Sequence, residues 1–275
     1  MSGLRAGSIS ACLVVRNEEQ VIERCLKSLD GAVDEIVLVH SGPCSDRTLE
    51  IAAGYGCRIF EGEDSHCERN TPLAYEQARG EWLLNIDADE FLSPELRRGL
   101  RGLTDDPEID GYAFLWRLWN GRRYITERGP YKLVLFRRSR TRMVGLIHAP
   151  ERIEGRVREL PLLLEHRPSR DAFALRTLTT KWRRWARIQA REYTSELSGV
   201  PRFNYPGELR WSRRRRIANR LSPLLILPAG LHTFVYVMRH ERDHLRLRER
   251  LHYATLHALY RSMVTAHVAR LVYLR

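Results

Sequence analysis

The stretch Glu81-Trp-Leu-Leu-Asn-Ile-Asp-Ala-Asp-Glu90 decides the reading of this chain. An apolar strand, Glu81 to Ile86, runs directly into two carboxylates one residue apart, Asp87 and Asp89. On extended backbone, side chains at i and i+2 point the same way. Two carboxylates on one face at the end of a buried strand concentrate negative charge, which is costly unless a cation sits there. Hard oxygen ligands suit Mg2+ or Mn2+, and these ions take few carboxylates and complete their shell with substrate phosphates. An isolated Asp-x-Asp carries little information. This one gains meaning from the strand–helix units that precede it.

Ser8 to Val15 is β-branched and apolar and is bounded by Arg16-Asn17, which predicts a buried strand. Val21, Ile22, Cys25, Leu26 and Leu29 follow at helical spacing. Glu35 to Val39 reads as a second strand, and Ser45-Asp46 caps a helix that ends at Gly54-Tyr-Gly56. Cys57 to Phe60 reads as a third strand and Arg69 to Ala78 as a helix stopped by Gly80. Ser93-Pro94-Glu95 opens another helix, with Ser as cap, Pro at the first position and Glu near the positive end of the dipole. Such alternation predicts an α/β fold with a mostly parallel, doubly wound sheet. Ligands of such sheets lie beyond the carboxyl ends of the strands. Arg16-Asn17, His40-Ser41-Gly42 and Asp87-Ala88-Asp89 all fall there.

After residue 105 the pattern loosens. Gly111 to Trp119, Tyr131 to Arg137 and Leu160 to Leu164 read as strands, and from Asp171 onward the chain reads as mostly helical. The hydrophobic content of 43% is enough for a substantial core. The five cysteines are odd in number, lack a Cys-x-x-Cys pair and all precede residue 70, so free thiols are expected rather than disulfides or zinc at His66/Cys67. Met1 to Gly7 carries one Arg and leads straight into a strand, so no secretory leader is expected. The net charge of +12 is uneven: from His166 onward there are 23 Lys and Arg against 7 Asp and Glu, and 23 against 27 before it. A strongly basic C-terminal surface calls for an anionic partner.

The motifs together resemble family 2 glycosyltransferases, which have the GT-A fold. Ser10-Ala-Cys-Leu-Val-Val-Arg-Asn-Glu-Glu is similar to that family's opening strand and loop. Asp34-Glu-Ile-Val-Leu-Val-His-Ser-Gly-Pro-Cys-Ser-Asp-Arg-Thr resembles its second strand and turn. Arg69-Asn70 followed by Trp82 to Glu90 resembles its Asp-Ala-Asp-Glu block. The resemblance covers residues 8–103 well and 105–166 more loosely. It is nearest to the branch that includes lipopolysaccharide-core β-glucosyltransferases, through Pro130-Tyr-Lys-Leu-Val-Leu-Phe-Arg-Arg, Ile147-His148 and His166-Arg-Pro-Ser169. The opening also resembles a branch acting on peptide thiols.

This resemblance implies roles. Asp89 would bind Mg2+ or Mn2+, Asp87 would hold the metal or the ribose, and His148 is the candidate third ligand. Val15, Arg16, Asn17, Glu18, His40, Ser41, Arg69, Asp87 and Ala88 would contact the nucleotide-sugar donor, with Arg69 on the diphosphate. The metal bridges the diphosphate and stabilises its departing charge. An inverting transfer needs a base for the acceptor hydroxyl, and the candidates are Glu151 and Glu127, with Glu151 favoured because it follows His148. Where the family's second strand ends in an Asp that reads uracil, this chain has His40. UDP-hexose is therefore the implied donor, with the base contact altered.

The expected organisation is a GT-A domain over 1–166, with the acceptor segment at 105–166, and a helical, Arg-rich region over 167–275. Leu221 to Val237 is nearly free of charge, contains Pro223, Pro228 and Gly230, and is short for a bilayer span, which needs about 20 residues. An interfacial helix pair suits it better, with Arg snorkelling and Trp at the surface. The reading is a metal-dependent enzyme that moves a hexose, glucose by resemblance, to a lipid-linked glycan or lipopolysaccharide-core acceptor. It would lie in the cytoplasm, peripheral on the inner face of an anionic cytoplasmic membrane. One alternative acceptor is a peptide or protein side chain. A different class is a nucleic-acid-binding protein stacking bases on Trp182, Trp185 and Trp211, which leaves the carboxylate pair unexplained.

Overall fold

The computed structural model describes residues 5–62, 66–126, 128–168 and 174–274. Two compact units divide the chain: Met1–Leu118, Gly129–Ser169 and Val200–Pro206 form one, and Trp119–Arg128, Arg170–Gly199 and Gly207–Arg275 the other. One of the divisions falls at 169/170, where the sequence pattern has a single boundary at 166/167. The excursion at 119–128 and the return at 200–206 had no counterpart in the sequence pattern.

The first unit runs β1 (Ile9–Val15), α1 (Ile22–Leu29), β2 (Glu35–Ser41), α2 (Thr48–Gly54), β3 (Arg58–Gly62), α3 (Cys67–Gln77) and β4 (Trp82–Asn85). It continues with β5 (Glu90–Leu92), α4 (Pro94–Gly99), β6 (Gly111–Trp116), β7 (Tyr131–Arg137), β8 (Thr141–Val144), β9 (Arg152–Ile153), β10 (Val157–His166) and β11 (Arg202–Phe203). One eight-stranded sheet has the order β3-β2-β1-β4-β7-β6-β10-β5, and β11-β8-β9 form a small antiparallel sheet. β1 pairs in parallel with β2 and β4, β2 with β3, and β6 with β10. Only β7 and β5 run against the rest. The mostly parallel α/β sheet expected from the strand–helix alternation is therefore present.

Both faces of the central strands are covered, which is why they read as continuous apolar runs. Ile9, Ala11 and Leu13 of β1 enter one core with Ile22, Cys25, Leu26 and Leu29 of α1. Cys12 enters the other, with Ala74 and Tyr75 of α3. Ser93 caps α4 by accepting a hydrogen bond from Leu96 N at 3.2 Å. All five cysteines are free. Some boundaries differ from expectation. The strand from Gly111 stops at Trp116, and Trp119 makes an isolated bridge to Tyr124. The last strand is longer than Leu160–Leu164, because its ends pair with β6 and β5.

β5 explains the shape of the sheet. It begins at Glu90, five residues after β4 ends, yet it pairs with the far side of β10 and so lies four places from β4. Five residues reach at most ~17 Å, whereas four strand spacings along a flat sheet span ~19 Å. The second half of the sheet must therefore curl back toward the end of β4. That curl gathers the starts of β5 and β7 and the ends of β4, β6 and β10 at one place.

In the second unit, a short helix α5 (Leu175–Thr177) passes through a π-helical turn, Leu178–Trp182, into α6 (Arg183–Thr194). α7 (Arg213–Arg220), α8 (Ser222–His240) and α9 (Leu247–Tyr273) follow. Trp182 packs edge-on against His257 and Tyr260, and Trp211 against Tyr193, with Trp211 Nε1 donating to Glu192 O at 3.1 Å. These two tryptophans are packing elements of the bundle. Among the described residues no single helix is long and apolar enough to cross a membrane; α7 and α8 meet at a bend of 108°.

Candidate active site

The β4–β7 register, Trp82 opposite Arg137 and Leu84 opposite Leu135, carried three residues further sets Asp87 opposite Lys132. Lys132 Nζ accordingly donates to Asp87 Oδ2 at 2.7 Å and to Glu90 Oε1 and Oε2 at 2.7 and 2.8 Å. Glu90 is fully buried, and it also accepts from Trp116 Nε1 at 2.6 Å and from Asp87 N at 3.0 Å. All of its partners are donors, so the site holds it as a carboxylate. Burial raises the Glu90 pKa, and the Lys132 charge pulls the other way. Burial alone would lower the Lys132 pKa; the adjoining carboxylates outweigh it and keep the amine charged.

Asp89 lies in the turn that joins β4 to β5. Its Oδ2 lies 3.5 Å from His166 Nε2, at the end of β10, and the His166 ring stacks on Trp116 with centroids 4.3 Å apart. Asp87 is 62% exposed and Asp89 28%, so both present carboxylate oxygen outward. Ala88, in the turn between β4 and β5, is buried.

Glu151 is brought to the same strand end. Its Oε1 accepts from Asn85 Nδ2 at 2.9 Å, two residues before Asp87, and from Tyr75 OH at 2.6 Å. Burial and the adjoining carboxylate hold the Tyr75 phenol far above its ordinary pKa, so it remains a donor. The other base candidate, Glu127, lies outside the described residues.

His148 differs from expectation. It is exposed, in the left-handed region with φ +57°, and no group of three His, Cys, Asp or Glu side chains among the described residues is placed to hold a metal. The expected set of Asp87, Asp89 and His148 is thus not assembled. The chain leaves α3 no room there: a Cβ on Gly145 would stand 3.0 Å from Arg69 Cα, which pins the loop against the helix backbone. The remaining donor set still fits a hard divalent cation. Asp87 and Asp89 both present hard carboxylate oxygen at the rim, and an ion with few protein ligands is completed by phosphate oxygens.

The other carboxyl ends form an interlocked rim. Val15 is the buried last residue of β1 and pairs with His40. After Arg16, Asn17 turns left-handed, φ +53°, a conformation Asn tolerates. It exchanges two hydrogen bonds with Ser45, at 2.8 and 3.0 Å. Glu18 N donates to Thr48 Oγ1 at 2.7 Å. His40 is buried, with Nδ1 2.7 Å from Gly42 O and Nε2 accepting from Asn17 N at 3.4 Å. That pattern fits one neutral tautomer and spends both nitrogens on the loops rather than on a ligand. Ser41 Oγ accepts from buried Asn70 Nδ2 at 2.9 Å. Gly62 makes room for that amide, since a Cβ there would stand 2.4 Å from it. Arg69, next to Asn70, lies in α3.

Glu90, Lys132, Trp116 and His166 were quoted in the sequence or lay in expected strands without being assigned to the site. The signal for Lys132 was a lone amine in the otherwise apolar start of Tyr131–Phe136.

A curled, mostly parallel sheet with a paired-acid turn at its carboxyl edge defines the GT-A class of fold. The chain belongs to glycosyl transferase family 2, whose profile matches residues 10–153, more than half of its length. Similar proteins include an uncharacterized glycosyltransferase of Rickettsia bellii, 30% identical over 142 residues, 52% of this chain and 43% of that one. Another is the lipopolysaccharide core biosynthesis glycosyltransferase LpsC of Rhizobium meliloti, 30% identical over 154 residues, 54% of this chain and 48% of that one. The matched segments span less than half of either relative. Among solved structures, S. aureus TarS 1-349 in complex with UDP-GlcNAc shares the fold at TM-score 0.50 and 16% identity, over 92% of this chain and 89% of that one.

Proposed function

We propose that this protein transfers a hexose, glucose in the first instance, from UDP to a glycan acceptor of the lipopolysaccharide-core or lipid-linked kind. The observation that carries the reading is the acidic turn at the sheet's carboxyl edge, with Asp87 and Glu90 on Lys132, Asp89 beside His166, and Glu151 on Asn85 at the end of β4. Its support in sequence is family membership and the likeness to LpsC.

In this reading Asp89, helped by Asp87, holds Mg2+ or Mn2+. The ion supplies charge neutralisation for the departing diphosphate. Lys132 ties Glu90 to Asp87 and so holds the turn that carries both aspartates. The acceptor hydroxyl attacks the anomeric carbon, the bond from that carbon to the diphosphate oxygen breaks, and the diphosphate leaves with the electron pair. Glu151 takes the hydroxyl proton. Tyr75 and Asn85 both bond to its Oε1, so Oε2 is the oxygen that receives it. This is one direct displacement, and a single displacement inverts the anomeric carbon, the outcome that the family resemblance implies.

The test is a panel of nucleotide sugars scored for hydrolysis with Mn2+, with Mg2+ and with excess EDTA. Turnover of UDP-glucose that EDTA abolishes is the expected result. Turnover that survives EDTA removes the metal, and inertness toward every nucleotide sugar removes the reading.

A further inference from the structure

The second unit carries a surface that its own fold leaves unused. Leu224, Leu227 and Leu231 of α8 are 75%, 80% and 66% exposed, and Val235 and Tyr236 continue the same outward face. Leu221, at the elbow before α8, belongs to it as well. No Asp, Glu, Lys or Arg occurs from Leu221 to Met238. The helix cannot turn to hide these side chains. Its inner face is fixed on α9 at Gly230, where a Cβ would stand 2.3 Å from Ser262 Oγ, and Ser262 Oγ donates to Ile226 O at 3.0 Å. A contiguous apolar face of this kind on a soluble surface marks a contact with something else.

The neighbouring helix says what that contact is. On α7, Arg213, Arg214, Arg216 and Arg220 are exposed, and among the described residues none has a carboxylate partner. Arg215 is the exception. It turns inward with its guanidinium 3.8 Å from the Tyr193 ring. Four uncompensated guanidiniums adjoin the leucine face through a one-residue elbow at Leu221. A second copy of this chain would set one arginine-rich helix beside another. A nucleic acid would satisfy α7 and leave the leucines of α8 in water. A bilayer boundary answers both, with phosphates for the arginines and acyl chains for the leucines.

We propose that α7 and α8 together dock on an anionic phospholipid surface, the outward face of α8 entering the acyl boundary and the outward arginines of α7 pairing with headgroup phosphates. This docking stands apart from sugar transfer and is read without it.

The experiment is flotation of the full chain with vesicles of phosphatidylcholine alone and of phosphatidylcholine mixed with phosphatidylglycerol, across a salt series. The unaltered protein floats with the phosphatidylglycerol vesicles, and part of that binding survives about 0.5 M salt, where surface charge is screened. Leu224→Glu/Leu227→Glu lowers affinity about tenfold or more at every salt concentration. Arg213→Gln/Arg214→Gln/Arg216→Gln lowers it by a similar factor at low salt and little at high salt. All five side chains are exposed, so circular dichroism should show unchanged helix content. Failure of the unaltered protein to float, or equal flotation of the leucine variant, overturns the proposal. So does a dimer in sedimentation that Leu224→Glu/Leu227→Glu abolishes, which assigns the face to a second copy. An oligonucleotide that displaces the protein from vesicles and binds the leucine variant equally well also overturns it.

Discussion

Apolar residues behave oppositely in the two units. In the sheet unit, Val37, Leu38 and Val39 of β2 and Leu83 and Leu84 of β4 are fully buried, because helices cover both faces. In the helical unit, an equally apolar run on α8 turns its largest leucines to solvent. The composition of a run therefore says that it will be covered, and only the packing says whether the cover is the protein itself. The first unit satisfies itself and concentrates its unmet demand at one acidic rim. The second unit leaves a demand of the opposite sign, basic and apolar, on its surface.

That contrast is open to attack, beginning with the sheet unit's most exposed weakness. Lys132→Met leaves the buried Glu90 carboxylate without its cation and should destabilise the chain by about 3–5 kcal/mol, read by urea unfolding. Adding Glu90→Gln to that variant should restore most of the loss. If Lys132→Met is as stable as the parent, the pair does not hold the turn. Leu83→Ala should cost about 2–5 kcal/mol, whereas Leu227→Ala should change stability by no more than about 0.5 kcal/mol. Similar losses from both would erase the distinction between the units. Asp89→Ala should lower sugar transfer about 10²–10³-fold with an unchanged unfolding midpoint, since Asp89 is partly exposed and, among the described residues, its side-chain ion pair with His166 is a loose one. A parallel fall in stability would make Asp89 a structural carboxylate. The smallest effect is Ser93→Ala, which removes the α4 cap and should cost about 1 kcal/mol; a cost of zero would mean that β5 and α4 are held by the sheet alone.

What the sequence made legible was local. β1, β2, β4 and the α1 stripe of Ile22, Cys25, Leu26 and Leu29 follow from periodicity, and Ser93 from cap chemistry. The Asp87/Asp89 turn was legible because two carboxylates after an apolar strand have few structural uses. The partners of that turn were not legible in the same way. Lys132, Trp116 and His166 come from three strands separated by up to 50 residues, and they meet only through register and curl. His40 looked like a ligand contact because of where β2 ends, and the hydrogen bonds to Gly42 and Asn17 that occupy it depend on two loops closing. His148 stood as a metal ligand through the family resemblance, and the structure holds it at an exposed, left-handed position in its loop. In the helical unit, charge and apolarity were readable, and the inward turn of Trp182, Trp211 and Arg215 was a property of the bundle.

The residue that ends the acidic turn also begins the outermost strand. Because Glu90, Phe91 and Leu92 are zipped onto His166, Glu165 and Leu164, the aspartates cannot swing aside as a flap without peeling that edge of the sheet. Anything bound at that rim meets a stationary pair of carboxylates, and any opening and closing there belongs to segments that no strand has claimed.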